Sequence, residues 1–351
     1  MSVIAKRLAK RSKKQRGFRV KTVVVLATGG TIASVQNAEG DAIAAVSGAD
    51  LLGAAVLPVD IQVRVEQLFQ LNSFNLTPSD MARTLLRVQQ VLSDPEVCAC
   101  VITHGTDTME ETGFFLSLFH DSIKPVILTG SQRSSGDSAS DGIGNLQNAL
   151  IVAVDERTRG LGVLIVFDGE IWSVPETRKS STLSSAAFDS PHGALGGVLG
   201  RQIAIHWRPI RHSLLSAEKL RADSIPRVDI VSCYPGADTT ALDAVVKAGA
   251  SGLVIEGMGA GNPGRDMVRA LAPLLAAGMP IVLTSRVATG RAAAIYGDGG
   301  GAELVRSGAV LGGLYRAPQL RILVIAALGS CDSPESTHTA VTRFLAHTNT
   351  A

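Results

Sequence analysis

Short apolar runs rich in valine, isoleucine and leucine recur along the chain from residue 22 onward, and each is bounded by small or polar residues. Stretches with helical periodicity separate these runs, and such alternation is typical of βαβ units. Because the runs are almost continuously apolar, helices should cover both faces of the strands, as in a parallel sheet. The predicted strands span 23–27, 99–102, 125–128, 162–167, 228–231, 253–255, 281–283 and 322–327.

The intervening stretches predict helices, and the first of these has the clearest start. Thr77 followed by Pro78 places a favoured N-cap residue before a residue favoured in the first helical turn. The predicted helices span 78–93, 110–120, 142–155, 239–249 and 264–277. The pattern as a whole predicts the α/β class.

The alternation lapses into polar, arginine-rich sequence before the strand at 228, so we place a linker at 206–227. This linker separates a larger N-terminal parallel-sheet domain at 22–205, with helices on both faces, from a smaller C-terminal α/β domain at 228–351. The length of 351 residues agrees, because it exceeds one ordinary hydrophobic core and favours two domains or one large barrel.

The charge of the chain is unevenly distributed. Residues 1–21 hold nine lysines or arginines and no acidic residue, so the remainder is net acidic although the formal net charge is +2. Such an arm can bind nucleic acid or an anionic membrane, but a solvated, disordered leader is the commoner case, and we expect neither partner. The leader lacks the apolar segment of a secretory signal, so we expect a cytoplasmic protein.

The composition excludes several classes of protein. A hydrophobic fraction of 46% and a charged fraction of 18% exclude an intrinsically disordered chain. No apolar stretch approaches the ~20 residues that a membrane-spanning helix requires. Four cysteines, two of them Cys98 and Cys100 inside an apolar run, fit neither a disulfide framework nor a metal or redox motif, so we expect reduced thiols.

Candidate chemistry lies where two predicted strands end. The strand at 23–27 is followed by Thr-Gly-Gly-Thr, ending at Thr31, and the strand at 99–102 by Thr-His-Gly-Thr, ending at Thr106. Ligands bind at the carboxyl ends of parallel strands, where glycine lets the backbone approach closely. Either motif alone is usually a turn whose threonine caps a helix. Two of them at strand ends predict two hydroxyls facing each other.

A threonine hydroxyl is a weak nucleophile until a base removes its proton. Lys179 is one candidate, because a desolvated lysine can lose its proton near neutral pH, but spacing alone does not single it out. His104 is more typical of a hydrogen-bonded structural histidine than of a base, since it directly follows a buried strand.

Other chemistries find little support. The chain lacks a complete dinucleotide fingerprint, a P-loop and the Gly-x-Ser-x-Gly elbow of serine hydrolases. The seven histidines form no H-E-x-x-H pair, and His206 with His212 has no companion acid at ligand spacing. We therefore expect no metal and no cofactor.

The two loops resemble the signature motifs of the bacterial-type L-asparaginase/glutaminase family. They read ATGGTIA at 27–33 and VITHGTDTMEET at 101–112. The similarity continues through 124–133, 139–145, 259–262 and 285–290. It implies a two-domain α/β amidohydrolase without metal or cofactor, which acts on a small amino-acid amide through an acyl-enzyme and releases ammonia. It also implies a homo-oligomer, usually a dimer of dimers with sites near a subunit interface.

The resemblance implies roles for individual residues. Thr31 corresponds to the nucleophile of the first loop, Thr106 and Asp107 to the pair in the second, and Lys179 to the lysine that activates Thr106. Asp107 would also hold the substrate's α-amino group. The remaining implied substrate contacts are Ser73, for the α-carboxylate, and Asn262, which would come from a neighbouring subunit.

The chain also departs from the family pattern. The tyrosine that normally assists the first threonine is missing, because the corresponding segment at 41–46 reads DAIAAV. Tyr296 falls near the position of the family's intersubunit acid, and whether it substitutes for that acid stays open. Phe74 stands where a polar residue often contacts the amino-acid head group. It either weakens that contact and favours a less polar substrate, or packs against Leu71 and Leu76.

These observations leave three hypotheses. The first is hydrolysis of L-asparagine to aspartate and ammonia by Thr31 and Thr106. The second is an amidase of the same fold that acts on a less polar small amide, as Phe74 and the missing tyrosine suggest. The third is a non-catalytic ligand sensor, against which the joint retention of both threonines, Asp107 and Lys179 argues.

Overall fold

The computed structural model describes residues 21–36, 42–44, 46–53, 55, 61–210 and 215–349. The predicted leader, apart from Lys21, lies outside the described residues, as do parts of the first-loop segment at 41–46 and of the linker. The described chain is α/β with two separate principal sheets. The predicted fold class is therefore confirmed.

The larger sheet belongs to the N-terminal half and has eight strands in the order β12-β11-β8-β7-β6-β5-β1-β4. Strands β4, β1, β5, β6 and β7 run parallel, whereas β8, β11 and β12 continue the sheet antiparallel. The smaller sheet has four parallel strands in the order β13-β14-β15-β16. The strands are β1 Lys21–Gly29, β2 Ser34–Gln36, β3 Ala42–Ala44, β4 Ile61–Leu71, β5 Val97–Thr103, β6 Val126–Thr129, β7 Val163–Phe167, β8 Glu170–Ser173, β9 Arg178–Lys179, β10 Phe188–Asp189, β11 Gly196–Leu199, β12 Gln202–Ile205, β13 Val228–Ser232, β14 Gly252–Gly257, β15 Ile281–Ser285 and β16 Val310–Leu311.

Seven of the eight predicted strands are present, and the sequence missed the rest. The edge strand β4 was missed because its exposed and partly covered positions largely alternate, whereas β1 is buried almost throughout. Strands β8, β11 and β12 are short antiparallel segments without a βαβ signature. Continuous burial therefore identified the centre of the sheet but not its margins.

The predicted helices are confirmed to within two residues at each end. Thr77 caps α2 in a reciprocal capping box, because its hydroxyl accepts from the Asp80 amide and the Asp80 carboxylate accepts from the Thr77 amide at 3.0 Å. The helices are α1 Gly48–Gly53, α2 Pro78–Ser93, α3 Met109–Phe119, α4 Gly142–Val154, α5 Thr240–Lys247, α6 Arg265–Ala276, α7 Gly301–Arg306, α8 Ala317–Ser330 and α9 Pro334–Asn349.

The predicted strand at 322–327 is wrong, because these residues lie inside helix α8. Residues 322–327 are all buried, so the run shows no exposed face that would reveal helical periodicity. Pro318 in the first turn of α8 was the available signal for a helix start. Helix α8 packs against α3 of the N-terminal half, and its neighbour Tyr315 contacts Phe114 at 5.3 Å between ring centroids. This packing joins the two halves through one core.

Candidate active site

The two threonine loops lie side by side at one edge of the larger sheet. Strands β1 and β5 are parallel neighbours with Ala27 opposite Thr103, so both loops leave the sheet at its carboxyl edge. A Cβ on Gly30, whose φ is 80°, would lie 2.4 Å from the Gly105 amide nitrogen. Only glycine permits this contact between the loops. Thr31 directly follows Gly30 in the chain.

The third strand end at this edge brings in Ser73. A Cβ on Gly105 would lie 2.5 Å from the Ser73 hydroxyl oxygen, so the second loop rests against this serine. Ser73 is buried, and its carbonyl accepts from the Thr108 hydroxyl at 2.9 Å. The Gly30 amide in turn donates to the Leu71 carbonyl at 2.9 Å. The structure thus brings together the loops that carry Thr31, Thr106 and Ser73.

Lys179 joins the hydroxyl and the carboxylate of the second loop. Its Nζ donates to Thr106 Oγ1 and to Asp107 Oδ1, both at 2.8 Å. The side chain of Lys179 is only 16% exposed, whereas that of Asp107 is 52% exposed and therefore accessible from solvent. Lys179 lies on β9, which pairs with β10, so a short antiparallel ribbon holds the amine in place. Spacing alone did not single out Lys179, because it lies 73 positions after Thr106, and the family resemblance was what pointed to this pair.

Gln132 is a site residue to which the sequence analysis gave no role. The Thr106 hydroxyl donates to Gln132 Oε1 at 2.9 Å. Gln132 follows β6, the strand next to β5 in the sheet, so its position at a strand end was the signal that pointed to it. The Thr106 hydroxyl therefore has two partners, one donor and one acceptor.

His104 is fully enclosed and does not face the candidate site. Its Nδ1 lies 2.7 Å from the Gly105 carbonyl and its Nε2 lies 2.9 Å from the Thr112 hydroxyl. Burial lowers the pKa of His104 to about 4, against a smaller opposing effect of the Gly105 hydrogen bond. A neutral imidazole with both nitrogens in contact with loop groups fits the structural role expected from the sequence.

Glu110 is a second residue that sequence reasoning missed. Its carboxylate accepts a short hydrogen bond from the Lys179 backbone amide. Burial raises the pKa of Glu110 to about 7, and the bond from Lys179 acts in the opposite direction. It lines a pocket of about 370 Å³ together with Asp107, Glu111, Lys179, Ser180, Ser181, Thr182 and Pro318. The pocket places three carboxyl groups and the lysine around one opening.

Phe74 and Asn262 make no hydrogen bond to Thr106, Asp107 or Lys179 in the described part of the chain. Phe74 is 64% exposed, so Leu71 and Leu76 leave most of its ring uncovered. Asn262 lies in the C-terminal half, where its Oδ1 accepts from the Gly301 amide at 3.2 Å. Within the described residues it has no hydrogen bond to the threonine loops, so its predicted contribution to a neighbouring subunit stays a prediction.

The described residues lack the features that a metal site and a membrane-spanning helix require. Among the described residues, no three histidine, cysteine, aspartate or glutamate side chains converge in a way that would hold a metal ion. No helix in the described part of the chain has both the length and the apolarity to cross a bilayer.

Family models match both halves of the chain. A model described as "Asparaginase, N-terminal" matches residues 22–211, and one described as "Glutaminase/Asparaginase C-terminal domain" matches residues 227–340. Together with the paired loops and the lysine bridge, these matches define the class as a two-domain α/β amidohydrolase.

Individual relatives narrow this class. An L-asparaginase of Bacillus licheniformis is 31% identical over 313 residues, which cover 88% of this chain and 96% of the relative. A glutaminase-asparaginase of Pseudomonas fluorescens biotype A is 35% identical over 279 residues, 78% of this chain and 77% of the relative. The crystal structure of a "probable cytoplasmic L-asparaginase" from Campylobacter jejuni superposes with a TM-score of 0.81 at 28% identity, covering 92% of this chain and 99% of the neighbour. The chain therefore belongs to the asparaginase/glutaminase family.

Proposed function

We propose that this protein hydrolyses the side-chain amide of L-asparagine to aspartate and ammonia through a threonine acyl-enzyme. The observation that carries the proposal is the bridge from Lys179 Nζ to Thr106 Oγ1 and Asp107 Oδ1, both at 2.8 Å. A nucleophile and an amine within hydrogen-bond reach, with a third group that orients the amine, are the components of an activated hydroxyl. Neither cofactor nor metal enters the reaction.

The chemistry proceeds in two steps. A threonine hydroxyl oxygen bonds to the amide carbonyl carbon, the carbon–nitrogen bond breaks, and the nitrogen leaves as ammonia with the hydroxyl proton. Water then attacks the resulting ester, which releases aspartate and restores the hydroxyl. Thr31 and Thr106 are both assigned to this chemistry.

Substrate binding changes the contacts of Lys179. Lys179 Nζ lies 2.8 Å from Asp107 Oδ1, the carboxylate that we assign to the substrate's α-amino group. A substrate ammonium that binds Asp107 competes with Lys179 for this carboxylate, so substrate binding loosens the contact between Lys179 and Asp107 and leaves the amine to Thr106. Asp107 thus has two roles, as partner of the lysine and as receptor for the α-amino group. Ser73, beside Gly105, receives the α-carboxylate.

Phe74 supports a second candidate substrate class. Its exposed ring stands next to Ser73, where it offers no hydrogen bond to a charged head group. A polar group that is left unpaired in a buried site costs about 1–3 kcal/mol. An amidase acting on a less polar small amide is therefore the alternative function for this site.

The proposal includes the working state of the protein. The chain acts as a homo-oligomer, a dimer of dimers, in which Asn262 of one subunit reaches the site of another. Tyr296 is 58% exposed and is available at such an interface. The protein acts in the cytoplasm, as the name of the Campylobacter jejuni neighbour and the four free cysteines support.

The decisive experiment measures ammonia release by the purified protein from millimolar L-asparagine, with L-glutamine and a panel of less polar amides in parallel. Release from asparagine well above the other amides is the expected result. Release from a less polar amide alone would transfer the assignment to the second candidate. If folded wild-type oligomer releases ammonia from none of these amides while L-aspartate raises its melting temperature, the sensor hypothesis replaces both.

A further inference from the structure

The side-chain amide of Gln132 contacts both Thr106 and a segment that borders the pocket. Its Oε1 accepts from the Thr106 hydroxyl at 2.9 Å. Its Nε2 donates to the Ser184 carbonyl at 2.9 Å and to the Thr182 carbonyl at 3.3 Å. Thr182 also lines the pocket beside Lys179 and Asp107. One amide therefore connects a candidate nucleophile with the rim of its site.

These contacts determine which way the amide points. A carbonyl oxygen only accepts hydrogen bonds, so the two carbonyls of Thr182 and Ser184 require the NH2 group of Gln132 to face them. The amide oxygen must then face Thr106. The reversed orientation would place the amide oxygen against two carbonyl oxygens. The hydrogen-bond partners therefore determine which atom of the Gln132 amide is oxygen and which is nitrogen.

The backbone of Gln132 is held independently of its side chain. Its amide nitrogen lies 3.0 Å and 3.1 Å from the two carboxylate oxygens of Asp141. Asp141 also accepts from the Arg133 amide at 3.0 Å and from Asn145 Nδ2 at 3.1 Å. The side chain of Gln132 therefore extends from a fixed point toward Thr106.

The Thr106 hydroxyl carries a single proton, and this proton is directed at Gln132. Lys179 approaches the same oxygen as a donor, so it uses a lone pair. The two contacts together fix the rotamer of Thr106 and the position of its oxygen. Without the Gln132 acceptor, the hydroxyl keeps one hydrogen-bond partner, so its rotamer about the Cα–Cβ bond is less strictly determined.

We propose that Gln132 is a positioning residue, which holds the Thr106 oxygen in its reactive place and is itself oriented by the carbonyls of Thr182 and Ser184. This inference rests on the proposed amide hydrolysis. Displacement of a reacting atom by about 1 Å can cost about 100-fold in rate, although the substrate still binds. Gln132 therefore acts on turnover rather than on substrate affinity.

The test compares two variants of the full-length protein in steady-state hydrolysis of the amide that the wild type uses best. Gln132→Met has a similar shape but no acceptor, and kcat should fall about 10- to 100-fold while KM changes less than about 3-fold. Gln132→Glu keeps an acceptor oxygen for the Thr106 hydroxyl, but only its protonated carboxyl can also donate to the carbonyl of Thr182 or Ser184. Its kcat should therefore lie several-fold above that of Gln132→Met, and the ratio of its kcat to the wild-type kcat should rise as the pH falls.

Controls separate positioning from general damage. Gln89→Met alters an exposed glutamine on α2 and should leave both kinetic parameters unchanged. Melting temperatures show whether each variant is folded, and if Gln132→Met does not fold, the kcat and the pH profile of Gln132→Glu decide. Wild-type kcat in folded Gln132→Met, or a ratio of Gln132→Glu to wild-type kcat that does not change with pH, would overturn the inference alone. An inactive wild type would overturn the proposed function together with it.

Discussion

The two threonine loops occupy equivalent places in the sheet but differ in how their hydroxyls are held. In the second loop, Thr106 is buried and its hydroxyl contacts both Lys179 and Gln132. In the first loop, the Thr31 side chain makes no hydrogen bond within the part of the chain that the structure describes. Among the described residues, similar strand-end motifs therefore produce one hydroxyl with two hydrogen-bond partners and one with none.

Each loop is closely packed at the glycine before its threonine, so the difference between the two hydroxyls lies in the surrounding elements. A Cβ at Gly30 would meet Gly105 of the second loop, and a Cβ at Gly105 would meet Ser73. The partners of Thr106 come from β9 and from the segment after β6, both distant in sequence. The comparison teaches that a motif can specify loop conformation, while the activation of its hydroxyl depends on residues brought in by the tertiary fold.

Removing each hydroxyl is the strongest way to test this contrast. Thr106→Ala and Thr31→Ala should each lower kcat by about 1,000-fold or more, because each removes a hydroxyl that takes part in the same covalent cycle. Effects of groups that act as a unit are not additive, so the double variant should release ammonia little more slowly than either single variant. Thr342→Ala, on an exposed face of α9, is the matched control and should retain wild-type kcat. A residual rate near wild type in Thr31→Ala would assign the chemistry to the second loop alone.

Replacing Phe74 tests the exposed margin of the site. Phe74→Gln restores hydrogen-bonding groups beside Ser73, so kcat/KM for L-asparagine should rise about 10-fold relative to a less polar amide. Steady-state kinetics with both substrates measure this ratio. Leu199→Gln, at another exposed apolar residue at the end of β11, should leave the ratio unchanged. An unchanged ratio in Phe74→Gln would show that its ring does not contact the head group.

Glu110 provides the smallest effect, which is on stability rather than turnover. Burial raises the pKa of Glu110 from 4.5 to about 7. Between these two pH values the folded state therefore keeps a proton that the unfolded state has released. This contribution is present below pH 4.5 and is lost as the pH rises to about 7, so unfolding free energy falls across that window. Glu110→Gln keeps an acceptor for the Lys179 amide and should be more stable than wild type by roughly 1 kcal/mol or more at pH 8.

Denaturant unfolding from pH 4 to pH 8 measures this prediction. The two stability curves should converge near pH 4 and separate as the pH rises. Glu218→Gln, at an exposed position, should follow the wild-type curve throughout. Parallel curves for Glu110→Gln and wild type would mean that the carboxyl group is not buried in solution as it is here.

The sequence by itself determined the central strands, most helices and the two loops. Continuous apolar runs require burial on both faces, and this requirement is readable residue by residue in β1 and β5. The capping box at Thr77 and Asp80 is equally local, so the start of α2 was predicted correctly. The φ of 80° at Gly30 is equally local, because glycine adopts such a conformation without steric cost.

Only the tertiary structure revealed Gln132 as a partner of the Thr106 hydroxyl and the helical nature of the buried run at 322–327, whereas the family resemblance had already pointed to Lys179. Burial on all sides removes the periodicity that separates a strand from a helix, so α8 became recognisable only from its backbone hydrogen bonds and its packing against α3. Gln132, Glu110 and Lys179 meet around the second loop from three different elements, namely the segment after β6, helix α3 and strand β9. A contact such as Lys179 to Thr106 depends on side-chain geometry at about 3 Å, which follows from how the strands and the β9 ribbon pack and not from local sequence.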